Sequence, residues 1–133
     1  SSIVGGSIGI AVGTALALRG TEHISVAVFG DAATEQGVFW EAISFSVLKD
    51  LQILFICENN DLSINVPLSQ RQPHRGGIHA SLWHRVSTFG MTSMYKDLKL
   101  AFSKTRSEGP TFIELKTKRV GEHCYFPKQS TSL

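Results

Sequence analysis

The chain has 133 residues, 42% of them hydrophobic and 18% charged, with a formal net charge of +2. That length and balance fit one globular domain with a packed core. The basic residues are scattered, with one local group at Lys116, Lys118 and Arg119, which excludes a nucleic-acid footprint.

The chain opens without an initiating Met and inside an apolar segment, so it reads as part of a longer protein. Residues 3–18 carry no charge but fall short of the roughly 20 residues a bilayer span needs. Gly5, Gly9 and Gly13 recur every fourth residue and share one helix face. The segment is therefore expected to be a buried helix in close contact with a neighbour, with no membrane association.

Residues 24–29 (ISVAVF) predict a short strand buried on both faces. Residues 30–34 have turn and cap chemistry. Residues 37–48 predict a helix, with Phe39, Ala42, Ile43, Ser46 and Val47 at three-to-four spacing. Residues 52–57 (QILFIC) predict a second buried strand, stopped by Asn59, Asn60 and Asp61. Strand, helix and strand within roughly 35 residues make a βαβ unit.

Residues 61–90 lack a period and read as a long loop with a short helix over 82–89. A loop that long in a small domain usually carries function. Residues 95–106 predict an amphipathic helix stopped by Gly109 and Pro110, and residues 111–115 (TFIEL) a third strand. The tail from Gly121 is irregular. The fold class is α/β, a parallel sheet with flanking helices. Cys57 and Cys124 are too few and too distant for a disulfide framework or a zinc knuckle, and read as reduced thiols of an intracellular protein.

In an open parallel sheet, ligands bind beyond the carboxyl ends of the strands. Asp31 follows the first strand, and Asn60 follows the second. A carboxylate and an amide oxygen are hard donors that suit Mg²⁺ or Ca²⁺ rather than zinc or copper. Ala32 and Ala33 are small enough for backbone N–H groups to approach a phosphate, and the following helix aims its positive end nearby. The rival reading of the same residues is structural: Asp31 caps a helix and Asn60 makes a turn.

Gly30-Asp31 followed by Asn59-Asn60 resembles the thiamine-diphosphate signature, which opens Gly-Asp-Gly and closes Asn-Asn. The wider wording, GDAATEQGVFWEAISFSVLKDLQILFICENND, is similar to the alpha subunit of the first component of 2-oxo acid dehydrogenase complexes. So are SSIVGGSIGIAVGTALAL upstream, and GPTFIELKTKR and the His of GEH downstream. The resemblance implies a thiamine-diphosphate-binding fold, with residues 1–133 as a single domain that anchors the cofactor diphosphate and Mg²⁺. It implies Asp31, Asn60 and the main-chain carbonyl of Leu62 as Mg²⁺ ligands. Main-chain atoms of Ala32 and Ala33 would meet the diphosphate, and Ser2 and Val4 would lie near the cofactor ring. Arg119 and His123 keep the spacing of an Arg and a catalytic His in a loop facing the cofactor.

The implied reaction is oxidative decarboxylation of a 2-oxo acid with acyl transfer to a lipoyl group. The implied partners are a beta subunit in a heterotetramer and the lipoyl domain of the acyltransferase component. The compartment would be the cytoplasm, or the mitochondrial matrix in a eukaryote. No carboxylate of this chain is placed to polarise the aminopyrimidine, so the chain is expected to be inactive without its beta subunit. A transketolase-like carboligase and a non-catalytic phosphate-binding domain are the rival functions.

The sequence departs from the family pattern at Ala32, where Gly is usual. A methyl is tolerated there only if φ stays negative. It also departs at Glu122, where Gly is common, and it is shorter than the pattern between Gly90 and Lys96. Glu41 and Glu58 read as solvated charges, and Trp40 and Trp83 as packing residues. His74, His79 and His84 read as surface histidines rather than a metal site.

Overall fold

A computed structural model of the chain describes residues 3–72, 83–86, 91–121 and 123, with 83–86 described through their backbone alone. Helix α1 spans Gly6–Ala17, and its buried stripe is Ile8, Ala11, Val12 and Ala15. Gly5 precedes it with φ 78°, a conformation that an L side chain adopts only at a cost. A Cβ at Gly5 would also come within 3.1 Å of Val38 Cγ1.

Strand β1 (Ser25–Gly30) leads into a 3-10 turn at Asp31–Glu35 and then helix α2 (Gly37–Leu48). Phe39, Ala42, Ile43 and Ser46 form the buried stripe of α2, as its periodicity predicts. Strand β2 (Ile53–Asn59) follows. The two-residue strands β3 (Leu62–Ser63) and β4 (Val66–Pro67) form an antiparallel hairpin that runs into the short helix α3 (Leu68–Arg71). Strand β5 (Trp83–Val86), helix α4 (Met91–Glu108) and strand β6 (Thr111–Lys116) complete the described chain.

The four longer strands form one parallel sheet in the order β1-β2-β6-β5. One face carries Ala27, Phe29, Ile53, Phe55, Cys57 and Phe112, packed against α1 and α2. Phe39 of α2 anchors this layer. Its ring stands edge-on to Phe29 at 5.6 Å, to Phe112 at 5.8 Å and to Trp40 at 5.0 Å, the favoured aromatic geometry. Trp40 is thus a packing residue, as expected. The other face carries Leu54, Ile56, Ile113 and Leu115 beneath α4. Helices on both faces of a parallel sheet make the α/β class that the sequence predicts.

Three expectations are corrected. Residues 83–86 are strand β5 rather than part of a helix over 82–89. Four residues are too few for periodicity to separate strand from helix, and the open edge of β6 decides the matter by pairing. Strand β1 is buried on one face only: Val26 is 38% and Val28 51% exposed. Helix α4 packs over β2 and β6 and leaves β1 uncovered. Helix α4 begins at Met91 rather than at Tyr95.

The glycine face of α1 is divided. Gly5 lies against α2, whereas a Cβ at Gly13 would meet nothing within 4 Å, and neighbouring Ile10 is 73% exposed. Among the described residues, no helix is long and apolar enough to cross a membrane.

These two glycines respond oppositely to a methyl group. Gly5→Ala is expected to lower stability by roughly 1–3 kcal/mol, from backbone strain together with the Val38 contact. Gly13→Ala is expected to raise it by up to about 1 kcal/mol, because Ala stiffens a helix interior. Chemical unfolding of the two variants beside the wild type checks both signs.

Candidate functional site at the carboxyl ends of β1 and β2

The parallel register sets Gly30 opposite Glu58, and Asn59 opposite Lys116. Asp31 and Asn60 are the next residues along β1 and β2, so the two chains leave the sheet side by side. Asp31 opens the 3-10 turn and is only 4% exposed. The hydroxyl of Thr34 donates to the Asp31 carbonyl at 2.7 Å and fixes the turn. Ala33 is buried and Ala32 half-buried. The first N–H groups of any helical turn lack partners within it. Ala32 keeps a negative φ, so its methyl replaces the usual Gly without strain.

The asparagine pair divides its labour. Asn59 is buried, its amide donates to Glu114 Oε1, and its Oδ1 accepts the Asp61 N–H at 2.8 Å. Its carbonyl accepts the Thr117 N–H, also at 2.8 Å. Asn60 Oδ1 accepts the Leu62 N–H at 2.9 Å, the side-chain-to-backbone turn that Asn favours. The chain then bends through Asp61 and Ile64, both at positive φ, 63° and 53°. Positive φ at a β-branched residue is strained. Strand β6 and its exit hold the bend: Lys116 pairs with the Asp61 carboxylate, and Arg119 donates to the Ile64 carbonyl at 2.6 Å.

A cation already stands against Asp31. Arg71, at the end of α3, donates Nη2 to Asp31 Oδ2 and Nη1 to Glu35 Oε1. The next residue, Gln72, donates to Thr34 Oγ1 at 2.7 Å and to Glu35 Oε1 at 3.2 Å. The two ion pairs differ in weight. The Arg71–Asp31 side chains are 10% and 6% exposed, and stripping one partner from so buried a pair costs about 3–5 kcal/mol. Glu35 is about one-third exposed, where an ion pair contributes at most about 1 kcal/mol.

Of the residues singled out from sequence, Asp31, Ala32, Ala33, Asn60 and Leu62 gather at the ends of β1 and β2. Val4 is exposed just ahead of α1, where Gly5 meets Gln36 and Val38 at the start of α2. His123 is exposed beyond Arg119. Ser2 lies outside the described residues, as do Cys124, His74 and His79. Glu41 and Glu58 are exposed, as expected.

Sequence reasoning missed Glu114 and Arg71. Glu114 had a signal, since it is a charge inside an apolar strand. Arg71 had none, because it lies in an aperiodic loop. Among the described residues, no three His, Cys, Asp or Glu side chains cluster as a metal group, so amide and main-chain oxygens would have to supply the remaining donors of any metal site. A cavity lined by Ala15, Leu18, Asp50, Gln52, Arg106 and Gly109 lies at the amino ends of β2 and β6, the opposite end of the sheet.

An open parallel sheet with helices on both faces defines an α/β protein, and the buried carboxylate and asparagine pair stand at adjacent carboxyl ends, where ligands bind in such sheets. Residues 1–130 match the dehydrogenase E1 component family, and the chain belongs to that family. It is 30% identical over 129 residues to the pyruvate dehydrogenase E1 component subunit alpha of Acholeplasma laidlawii, covering 91% of this chain and 37% of that protein. It is 30% identical over 121 residues to a 3-methyl-2-oxobutanoate dehydrogenase subunit alpha of Mycobacterium tuberculosis, covering 85% of this chain and 33% of that protein. It is 31% identical over 131 residues to the testis-specific mitochondrial pyruvate dehydrogenase E1 component subunit alpha of Rattus norvegicus, covering 92% of this chain and 33% of that protein. The chain therefore spans 33–37% of the length of these curated relatives.

Cys57 reports on the interior behind the site. It is a free, buried thiol, as the cysteine count predicts. Burial above all, and then the charges of Glu114, Asp31 and Glu58, push it up from its ordinary value of 9.0. The folded thiol stays protonated where the unfolded one ionises. Its contribution is thus complete below pH 9.0 and declines as pH rises further. Above that pH, wild type is expected to lose about 1.4 kcal/mol per pH unit more than Cys57→Ala does. Urea titrations of both proteins across the alkaline range provide the check.

Proposed function

We propose that this chain is the diphosphate- and Mg²⁺-anchoring domain of a thiamine-diphosphate-dependent 2-oxo acid dehydrogenase alpha subunit, and that it is part of a longer polypeptide. The observation that carries the reading is the β1–β2 register. It brings Asp31 and Asn60 to adjacent strand ends in a member of the E1 component family. The relatives are named for pyruvate and 3-methyl-2-oxobutanoate, both 2-oxo acids.

The donors fit Mg²⁺. Asp31 supplies a buried carboxylate that has a cation against it already, so the position favours positive charge. Asn60 Oδ1 accepts one N–H and keeps a second lone pair. The Leu62 carbonyl is the third protein oxygen, and so few protein ligands suit a metal that keeps water and phosphate oxygens. Ala32 and Ala33 present main-chain N–H groups to the diphosphate at the start of the 3-10 turn. Glu114 orients Asn59 and, through the Asp61 N–H, the turn that carries Asn60 and Leu62.

Bound thiamine diphosphate supplies the nucleophilic carbon and the electron sink for decarboxylation. The residues of this chain bind and orient. Ser2 and Val4 contribute near the ring. His123, exposed and following Arg119, serves proton transfer or orders the loop beside the cofactor. The glutamate that polarises the aminopyrimidine comes from a beta subunit in a heterotetramer, and the acyl group passes to the lipoyl domain of the acyltransferase component. The uncovered faces of α1, at Ile10, and of β1, at Val26 and Val28, are where further protein packs. The compartment is the cytoplasm or the mitochondrial matrix.

Calorimetric titration of the full-length protein with its partner, using thiamine diphosphate and Mg²⁺, tests the site. Asp31→Ala is expected to abolish Mg²⁺-dependent binding. Asn60→Ala is expected to weaken it by at least about 10-fold, since losing a direct ligand costs no less than losing an outer-shell contact. Undiminished affinity in Asp31→Ala sinks the assignment. Turnover of sugar phosphates in place of 2-oxo acids would overturn the reaction class.

A further inference from the structure

Arg71 brings a fixed positive charge to the carboxylate proposed to hold the metal. Its Nη2 and Nη1 bridge Asp31 and Glu35, and its Nε donates to the Val66 carbonyl at 3.2 Å. The guanidinium therefore ties the 31–35 turn to the β4–α3 segment. Gln72 adds a second tie, to Thr34 and Glu35.

We propose that Arg71 is a resident counter-cation of Asp31 that competes with the divalent metal, and that α3 is a strap which metal binding loosens. The proposal rests on Asp31 being a metal ligand and goes beyond that reading by assigning the metal a competitor within the chain. Two positive charges on one shielded carboxylate repel each other. A guanidinium cannot shed its proton at any ordinary pH. Relief comes only from moving Arg71 off Asp31.

The structure makes that movement easy. Helix α3 has four residues, of which Leu68 is the buried one. Glu35, four residues further along and more exposed, offers Arg71 a carboxylate to keep when it leaves Asp31. Arg71 thus neutralises a buried charge until the metal arrives, and its departure leaves the strap held to the 31–35 turn by Glu35 and Gln72 alone.

The test uses Mn²⁺ alone, titrated into the metal-free full-length protein and followed by electron paramagnetic resonance. Arg71→Met is expected to bind Mn²⁺ about tenfold or more tighter than wild type, a modest gain for removing a like charge a few ångströms away. Gln72→Ala cuts the other tie without touching the charge and is expected to bind Mn²⁺ as wild type does. In the wild type, Mn²⁺ is expected to speed amide exchange over residues 68–72, and this decides the matter if Arg71→Met fails to fold.

Unchanged or weaker Mn²⁺ affinity in folded Arg71→Met overturns the proposal. So does slower exchange over 68–72 on adding Mn²⁺. If wild type binds Mn²⁺ and Asp31→Ala does not, such a result removes the competition and leaves the metal site standing. If neither wild type nor Arg71→Met binds Mn²⁺, the metal-site reading falls, and the proposal falls with it.

Discussion

The parallel pairing of β1 with β2, with Gly30 opposite Glu58, is the constraint on which the candidate site depends. Side chains alternate across a sheet, so a slip of one residue would turn Asp31 from the α2 side to the other face. The hydrophobic layers forbid that slip. Phe29, Phe55 and Phe112 must meet Phe39 on one face, while Leu54, Ile56 and Ile113 must meet α4 on the other. The apolar core thus fixes the polar geometry at the strand ends. The helices contribute by holding the strands in register as well as by covering them.

A polar network adds definition that the core alone lacks. Asn59 spends its side chain on Glu114 and on the Asp61 N–H, and Asn60 spends an oxygen on the Leu62 N–H. Two strained residues, Asp61 and Ile64, survive because Lys116 and Arg119 grip them from the exit of β6. Strain held this way beside a candidate site is what preorganisation looks like in backbone terms. No buried side-chain polar atom among the described residues is left without a partner, so the network is complete. A complete network rigidifies, whereas a partial one would cost stability.

The chain leaves apolar surfaces open, and it spans only 33–37% of the length of its curated relatives. Helix α1 is apolar around its circumference, yet only one stripe of it is buried here. Strand β1 is apolar on both faces, yet α4 stops short of it. Both patterns come from sequences composed for two-sided burial.

The sequence by itself determined the helix α2 and the strands β1, β2 and β6. Each has enough residues for its period or apolar run to be unambiguous, and each is bounded by Gly, Asn or Pro. It also marked Asp31 and Asn60, because polar residues that end apolar strands must lie together at one end of a parallel sheet. Tertiary structure alone decided that 83–86 is a strand, because a four-residue segment takes its conformation from the edge it pairs with. It alone exposed Val26 and Val28, because burial depends on how far α4 reaches across the sheet. It alone brought Arg71 to Asp31 across a sequence separation of 40. Local pattern reports which residues must be buried or must turn. It carries no information about which distant charge closes on a buried carboxylate, since that contact is set by the path of a loop rather than by any period in its residues.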